Sequence, residues 1–195
     1  MTRLNWEKPD LLYPDLLSKK WTTDTQWQKA GNVAETLDRF SLDTGSDYFD
    51  ILLIHCMTKG NWKEDKKVFM EGLSKARQQG IVKAVGVSCH NWDAMKEAVE
   101  DPWVDVILAR INPFGVHMDG TTEAVSGLLE IAVKNGKGVL AMKIFGNGDK
   151  VSEAEREQSL KYALGNRNIH AMTLGMQTIE QIDDAVERAM RLAKS

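Results

Sequence analysis

Apolar positions in this chain follow two patterns, a helical period and short unbroken runs, and the two alternate. From Ala30 to Phe40, the residues Val33, Leu37 and Phe40 fall on one helical face. From Glu64 to Gln79, Phe69, Met70, Leu73 and Ala76 form a second stripe, with Gly80 where a helix end favours a left-handed residue. Asn91 or Asp93 can cap a short helix carrying Met95, Ala98 and Val99, stopped by Pro102. Thr122 to Asn135 presents Val125, Leu128, Leu129, Ala132 and Val133, followed by Gly136. Ser152 with Glu155, and Thr178 with Gln181, have the spacing of capping boxes ahead of two further stripes. Such stripes are core faces, not cofactor boxes.

Between the helices lie the runs Phe49–Ile54, Ile81–Val87, Trp103–Ala109, Gly138–Ile144 and Ala171–Leu174, with a weaker one at Leu16–Ser18. Unbroken branched runs read as strands buried on both faces, and strict alternation with helices predicts right-handed crossovers and a parallel sheet. Barrel and open doubly wound sheet both satisfy the pattern. In either, strand C-termini converge on one face. There the chain places Lys19 or Lys20, His55 with Cys56, Ser88 with Cys89 and His90, Arg110 with Asn112, Lys143, and Gly175. Polar groups thus gather where apolar strands stop. Against this, a lone histidine is about as often a bonded core residue as a catalyst. Arg110 and Lys143 stand in apolar segments, where an unpaired charge is costly; an anionic ligand and an internal salt bridge are both open readings.

Composition narrows the field. The chain has 195 residues, 43% of them hydrophobic, enough for a single domain over 1–195 with residues 1–15 as an irregular N-terminal segment. A complete eight-fold β/α barrel usually takes about 250 residues, so the chain is short for one. A net charge of −3 gives no basic footprint for nucleic acid. No run reaches the ~20 apolar residues of a membrane span, and the charged N-terminus lacks the apolar core of a signal peptide. Two cysteines build no disulfide framework, so a reducing cytoplasm is expected. Adjacent-residue spacing of His55, Cys56, Cys89 and His90 points side chains apart, so no metal is expected.

Three segments carry a family resemblance. Asp47-Tyr48-Phe49-Asp50-Ile51-Leu52-Leu53-Ile54-His55, Gly80-Ile81-Val82-Lys83-Ala84-Val85-Gly86-Val87-Ser88, and Met172 through Ile182 resemble, in order, segments of the aldo-keto reductases. The resemblance implies an α/β fold, a partial (β/α)8 TIM barrel of about six parallel strands. It implies hydride transfer between a nicotinamide cofactor, NADP(H) with NAD(H) as the alternative, and a small-molecule carbonyl substrate. It assigns the family's catalytic histidine to His55 and its lysine to Lys19, with Lys20 one residue of register away. Ser88, Asn112, Lys143, Gly146, Gly175, Met176, Gln177 and Gln181 become the cofactor-binding positions.

The chain also departs from the family. Neither Tyr13 nor Tyr48 aligns with the family's acid, and its aspartate has no counterpart, so impaired turnover is expected. Cys89 stands where the family has asparagine, Leu108 where it has glutamine, and Met142 where it has an aromatic. The loop at Gly175 lacks the usual lysine or arginine for a 2′-phosphate. A non-catalytic nucleotide-binding or interaction domain is the rival reading, with self-association through an open barrel edge.

Overall fold

The computed structural model describes residues 30–193. Residues 1–15, the expected strand Leu16–Ser18, and Lys19 and Lys20 lie outside them. The elements are α1 (Ala30–Thr44), β1 (Phe49–Met57), α2 (Trp62–Gln78), β2 (Val82–Cys89), α3 (Trp92–Glu100) and β3 (Val106–Arg110). Then come α4 (Thr122–Lys134), β4 (Gly138–Met142), α5 (Glu153–Gly165), β5 (Ala171–Met172) and α6 (Ile179–Leu192). The five strands hydrogen-bond in chain order, and β2 through β5 pair in parallel. Parallel strands alternating with helices make this an α/β fold, a partial β/α barrel.

The chain divides into two compact units. The first comprises the described residues up to Leu52 and Lys63–Val85. In it α1 lies against α2 closely enough that a Cβ on Gly72 would stand 2.7 Å from Val33 Cγ2. Phe40 meets Phe49 edge-on at 6.3 Å, and the Phe49 N–H donates to the Ile81 carbonyl.

The second unit comprises Leu53–Trp62 and residues from Gly86 onward. Val87, Ile107, Ile111, Val139 and Ala141 are fully or almost fully shielded in its sheet, and Ala94, Ala98, Val125 and Leu129 cover it from α3 and α4. Each buried Val, Leu or Ile contributes roughly 1.5–3 kcal/mol. Gly86 is required where β2 meets β3: a Cβ there would fall 1.8 Å from the Val106 carbonyl oxygen. The Trp62 indole N–H donates to the Ala94 carbonyl, anchoring the start of α2. Lys137 is buried because its ammonium donates to the Asp101 and Val104 carbonyls at 2.6 and 2.9 Å, satisfying groups freed where α3 ends.

Several expected boundaries shift. β1 runs on to Met57, so His55 sits inside a strand and not at its end. Nor is β1 buried on both faces: Ile51 is 43% exposed, because β1 is the outermost described strand of the sheet. Trp103 to Asp105 form the turn before β3 and not its first residues; Asp101 Oδ1 accepts from the Trp103 N–H. β4 stops at Met142, because Lys143 turns left-handed. β5 is only two residues long.

The helix ends divide similarly. Asn91, not Asp93, caps α3, its side chain accepting from the Asp93 and Ala94 N–H groups. Ser152 and Glu155 form the reciprocal capping box. Thr178 and Gln181 do not: Thr178 accepts from the Gln181 N–H, but the Gln181 side chain reaches past it to the Gln177 N–H.

Candidate functional site

All of the site positions described here lie in the second unit. Its geometry begins at Cys56, whose φ of +67° turns the backbone out of the regular ladder near the end of β1. A left-handed non-glycine residue costs roughly 1–3 kcal/mol and persists only where its surroundings hold it. Here the Cys56 N–H donates to Ser88 Oγ at 2.7 Å, and one residue further the Met57 carbonyl accepts from the His90 N–H at 2.8 Å. These two bonds fasten the end of β1 to the end of β2. They bring the His55 and His90 rings edge to face, 5.9 Å between centroids.

His55 is exposed, whereas His90 is half-buried. Burial lowers the His90 pKa, and the charges of Arg110, His55 and Lys143 lower it further, with only Asp119 opposing. Charges from β1, β3 and the loop after β4 thus act on one imidazole. Cys89 is buried between them, and desolvation pushes its thiol up to about 12. It is a neutral packing group, not a nucleophile.

Arg110 resolves toward the salt-bridge reading. Its Nε and Nη2 both donate to Asp119, whose side chain is only 1% exposed. Asp119 is the site residue that sequence reasoning missed. Nothing in a carboxylate nine positions downstream of an arginine, within an irregular loop, marks it as a partner.

Asn112 is fully buried and its carboxamide is committed locally. Nδ2 donates to the Val116 and Lys143 carbonyls, and Oδ1 accepts from the Phe114 and Val116 N–H groups. The side chain therefore shapes the loop after β3 and ties it to the end of β4. Lys143 itself is left-handed, with its ammonium on the Asn147 side-chain oxygen. Gly146, Asn147 and Gly148 also have positive φ, and a Cβ on Gly146 would lie 2.9 Å from Lys150 Cγ. This loop is a compact backbone turn that larger residues would strain.

The Thr173 N–H donates to the Ala141 carbonyl, placing the end of β5 beside that of β4. Beyond it Gly175 and Gln177 are exposed, Met176 is half-buried, and α6 begins at Ile179. Glu180 occupies this helix start. Its pKa is lowered, first by its own backbone N–H and then by the Thr178 hydroxyl. The Gly175–Gln181 stretch holds no lysine or arginine.

Tyrosines stand elsewhere. Tyr48 packs under the Lys83 ammonium in the first unit, and the Tyr162 hydroxyl on α5 bonds Ser126 on α4 at 2.8 Å. Tyr13 and the expected lysine, Lys19 or Lys20, lie outside the described residues.

Polar groups gathered at the C-terminal ends of parallel strands, each followed by a helix, define the site class of β/α-barrel enzymes. The chain belongs to the aldo/keto reductase family, whose sequence profile matches residues 16–195. A D-threo-aldose 1-dehydrogenase from Pseudomonas sp is 26% identical over 156 residues, which cover 80% of this chain and 44% of that protein. Among solved structures, one from Pseudomonas aeruginosa assigned to the aldo-keto reductases superposes with a TM-score of 0.68 at 16% identity, covering 85% of this chain and 60% of that one. The holo form of an aldo-keto reductase from Bacillus halodurans gives 0.65 at 14% identity, covering 87% and 64%. The chain therefore spans less than half the length of the curated relative and less than two thirds of these structures.

Proposed function

We propose that this chain is the dinucleotide-holding part of an aldo-keto-reductase-type oxidoreductase acting on a small carbonyl compound. The observation that carries this reading is the gathering of His55, Ser88, His90 and Lys143 at or near successive strand ends of a family member. The nicotinamide group, when bound, supplies or accepts the hydride. In this reading His55, which is exposed, donates a hydrogen bond that orients the carbonyl. Ser88, Asn112, Lys143 and Gly146 form the wall for the nicotinamide and its phosphates, with Asn112 acting through the loop it holds. Gly175, Met176, Gln177 and Gln181 lead into the N-terminus of α6, where free N–H groups suit an anion.

The same helix start bears on the choice between NADP(H) and NAD(H). Glu180 already presents a carboxylate there, and a 2′-phosphate brought beside it meets like charge with no lysine or arginine to offset it. That arrangement favours NAD(H). Lys19, with Lys20 one residue of register away, is the expected lysine partner of a proton donor. Among the described residues neither Tyr48 nor Tyr162 stands at the strand ends, and the reading expects slow turnover, since loss of a general acid costs ~10²–10⁴ in rate. The free thiols of Cys56 and Cys89 suit a reducing cytoplasm. Among the described residues no helix is long and apolar enough to cross a membrane.

Fluorescence titration of the full chain with NADH and NADPH tests the reading, followed by absorbance at the reduced-nicotinamide band with 4-nitrobenzaldehyde. Binding of NADH more tightly than NADPH, with turnover far below that of intact relatives, is the expected result. Absence of binding to either dinucleotide refutes the reading.

A second reading, a non-catalytic domain that self-associates, is favoured by α6. That helix meets its own chain with Arg188 and Asp184, which bond Glu157 and Arg156 of α5, and leaves Ile179 72%, Val186 50% and Met190 57% exposed. β1 has no strand on its outer side among the described residues, and such an edge can pair with a second chain. Sedimentation of a second species that disappears on Val186→Glu, in a chain that binds no dinucleotide, selects this reading.

A further inference from the structure

Arg110 holds more hydrogen-bonding capacity than its salt bridge uses. A guanidinium carries five N–H donors in one plane, arranged as two edges that can each grip a carboxylate. Asp119 takes one edge, Nε to Oδ2 and Nη2 to Oδ1. The other edge, formed by Nη1 and the second Nη2 hydrogen, has no bond to any described residue, and the side chain is 21% exposed. Asp119, almost wholly buried, fixes the plane of the group, so no side-chain freedom is lost when a second partner arrives.

The surroundings favour an anion. Arg110 and Lys143 both act on His90 as positive charges, and Asp119 is the one acid that acts on it. Lys143 bonds a neutral amide, not a carboxylate. The neighbourhood is therefore net positive within a chain whose net charge is −3. It lies beside His55, the residue read above as orienting a carbonyl.

We propose that the open edge of Arg110 is a carboxylate-recognition site, and that the substrate is a carbonyl compound carrying a carboxylate close to the reacting carbon, as in a 2-oxo acid. The proposal rests on the reductase reading for the word substrate, but the binding edge stands or falls separately. Lys143 serves the cofactor phosphates in that reading, so Arg110 alone discriminates acid from neutral carbonyl. A lysine in its place keeps the charge that Asp119 needs but loses the planar fork.

Calorimetric titration of the full chain with oxamate, which pairs a carboxylate with an amide carbonyl, tests this with and without saturating NADH. Acetamide is the neutral control. Oxamate is expected to bind, acetamide not, and Arg110→Lys to weaken oxamate by about tenfold or more while shifting NADH affinity less than about twofold, the worth of one charge-assisted pair. Circular dichroism of the lysine variant checks that it folds. Arg110→Gln in a chain also carrying Asp119→Asn, which leaves no buried charge, should lose oxamate equally. Oxamate binding that is absent, or unchanged in both variants, overturns the proposal. An equal loss of oxamate and NADH affinity in Arg110→Lys also overturns it, assigning the edge to a cofactor phosphate. Arg110-dependent oxamate binding in a chain that binds no dinucleotide sinks the reductase reading and leaves the carboxylate site standing.

Discussion

β4 and β1 began as similar apolar runs and ended in different surroundings. In β4 every residue after Gly138 is buried, and the strand has partners on both sides in β3 and β5. In β1 only Ile54 and Met57 are buried, and Ile51 lies open. Both apolar runs become strands, but position in the sheet sets what each strand buries. The same contrast separates the loops: those after β3 and β4 are knitted by Asn112 and Asp119, while the start of α6 is exposed and held by its own caps.

The sharpest way to break the contrast is Gly86→Ala. Its Cβ would overlap the Val106 carbonyl, so β2 and β3 must separate. A loss of about 4 kcal/mol or more is expected, seen as little soluble folded chain. A lesser effect follows from Asp119→Ala, which leaves the Arg110 cation without its buried partner and should cost about 3–5 kcal/mol in urea unfolding. Asn112→Ala frees two carbonyls and two N–H groups in the loops after β3 and β4. It should cost about 2–3 kcal/mol and lower dinucleotide affinity along with stability.

Smaller still is the pH response of His90. Its folded pKa lies below the usual histidine value near 6.5, so the unfolded chain takes up the proton first as pH falls. Stability is therefore unaffected by this group above that value, declines as pH drops from it toward the folded pKa, and then levels. Urea midpoints of the chain and of His90→Gln between pH 7.5 and 5 should diverge in that window. At the margin, Ile182→Ala on the exposed face of α6 should change stability by less than about 0.5 kcal/mol. A large loss there means that face is covered.

What could be read from the chain follows the same division. Caps, stops and periodic stripes are local signals, and Asn91, the Ser152–Glu155 box, and the left-handed Gly80 and Gly136 all stand where spacing placed them. That Lys143 follows the end of a strand was also legible, because the apolar run of β4 stops there. Partners chosen by tertiary contact were not. Asp119 is nine positions from Arg110, and the bond from Cys56 to Ser88 needs a left-handed cysteine that no propensity predicts. The end of β1 was placed at His55, two residues too early, because the strand continues to Met57, held by bonds to Ser88 and His90 at the end of β2.

The central claim is that one face of the second unit, built from strand ends, receives a dinucleotide. Amide chemical-shift mapping of the isotopically labelled full chain during NADH titration measures this directly. The account predicts shifts at Cys56, Ser88 to His90, Arg110 to Asn112, Lys143 to Gly148 and Gly175 to Gln181, with α2 and the outer face of α4 unmoved. Shifts confined to those helices, or none at saturating NADH and NADPH, would contradict it.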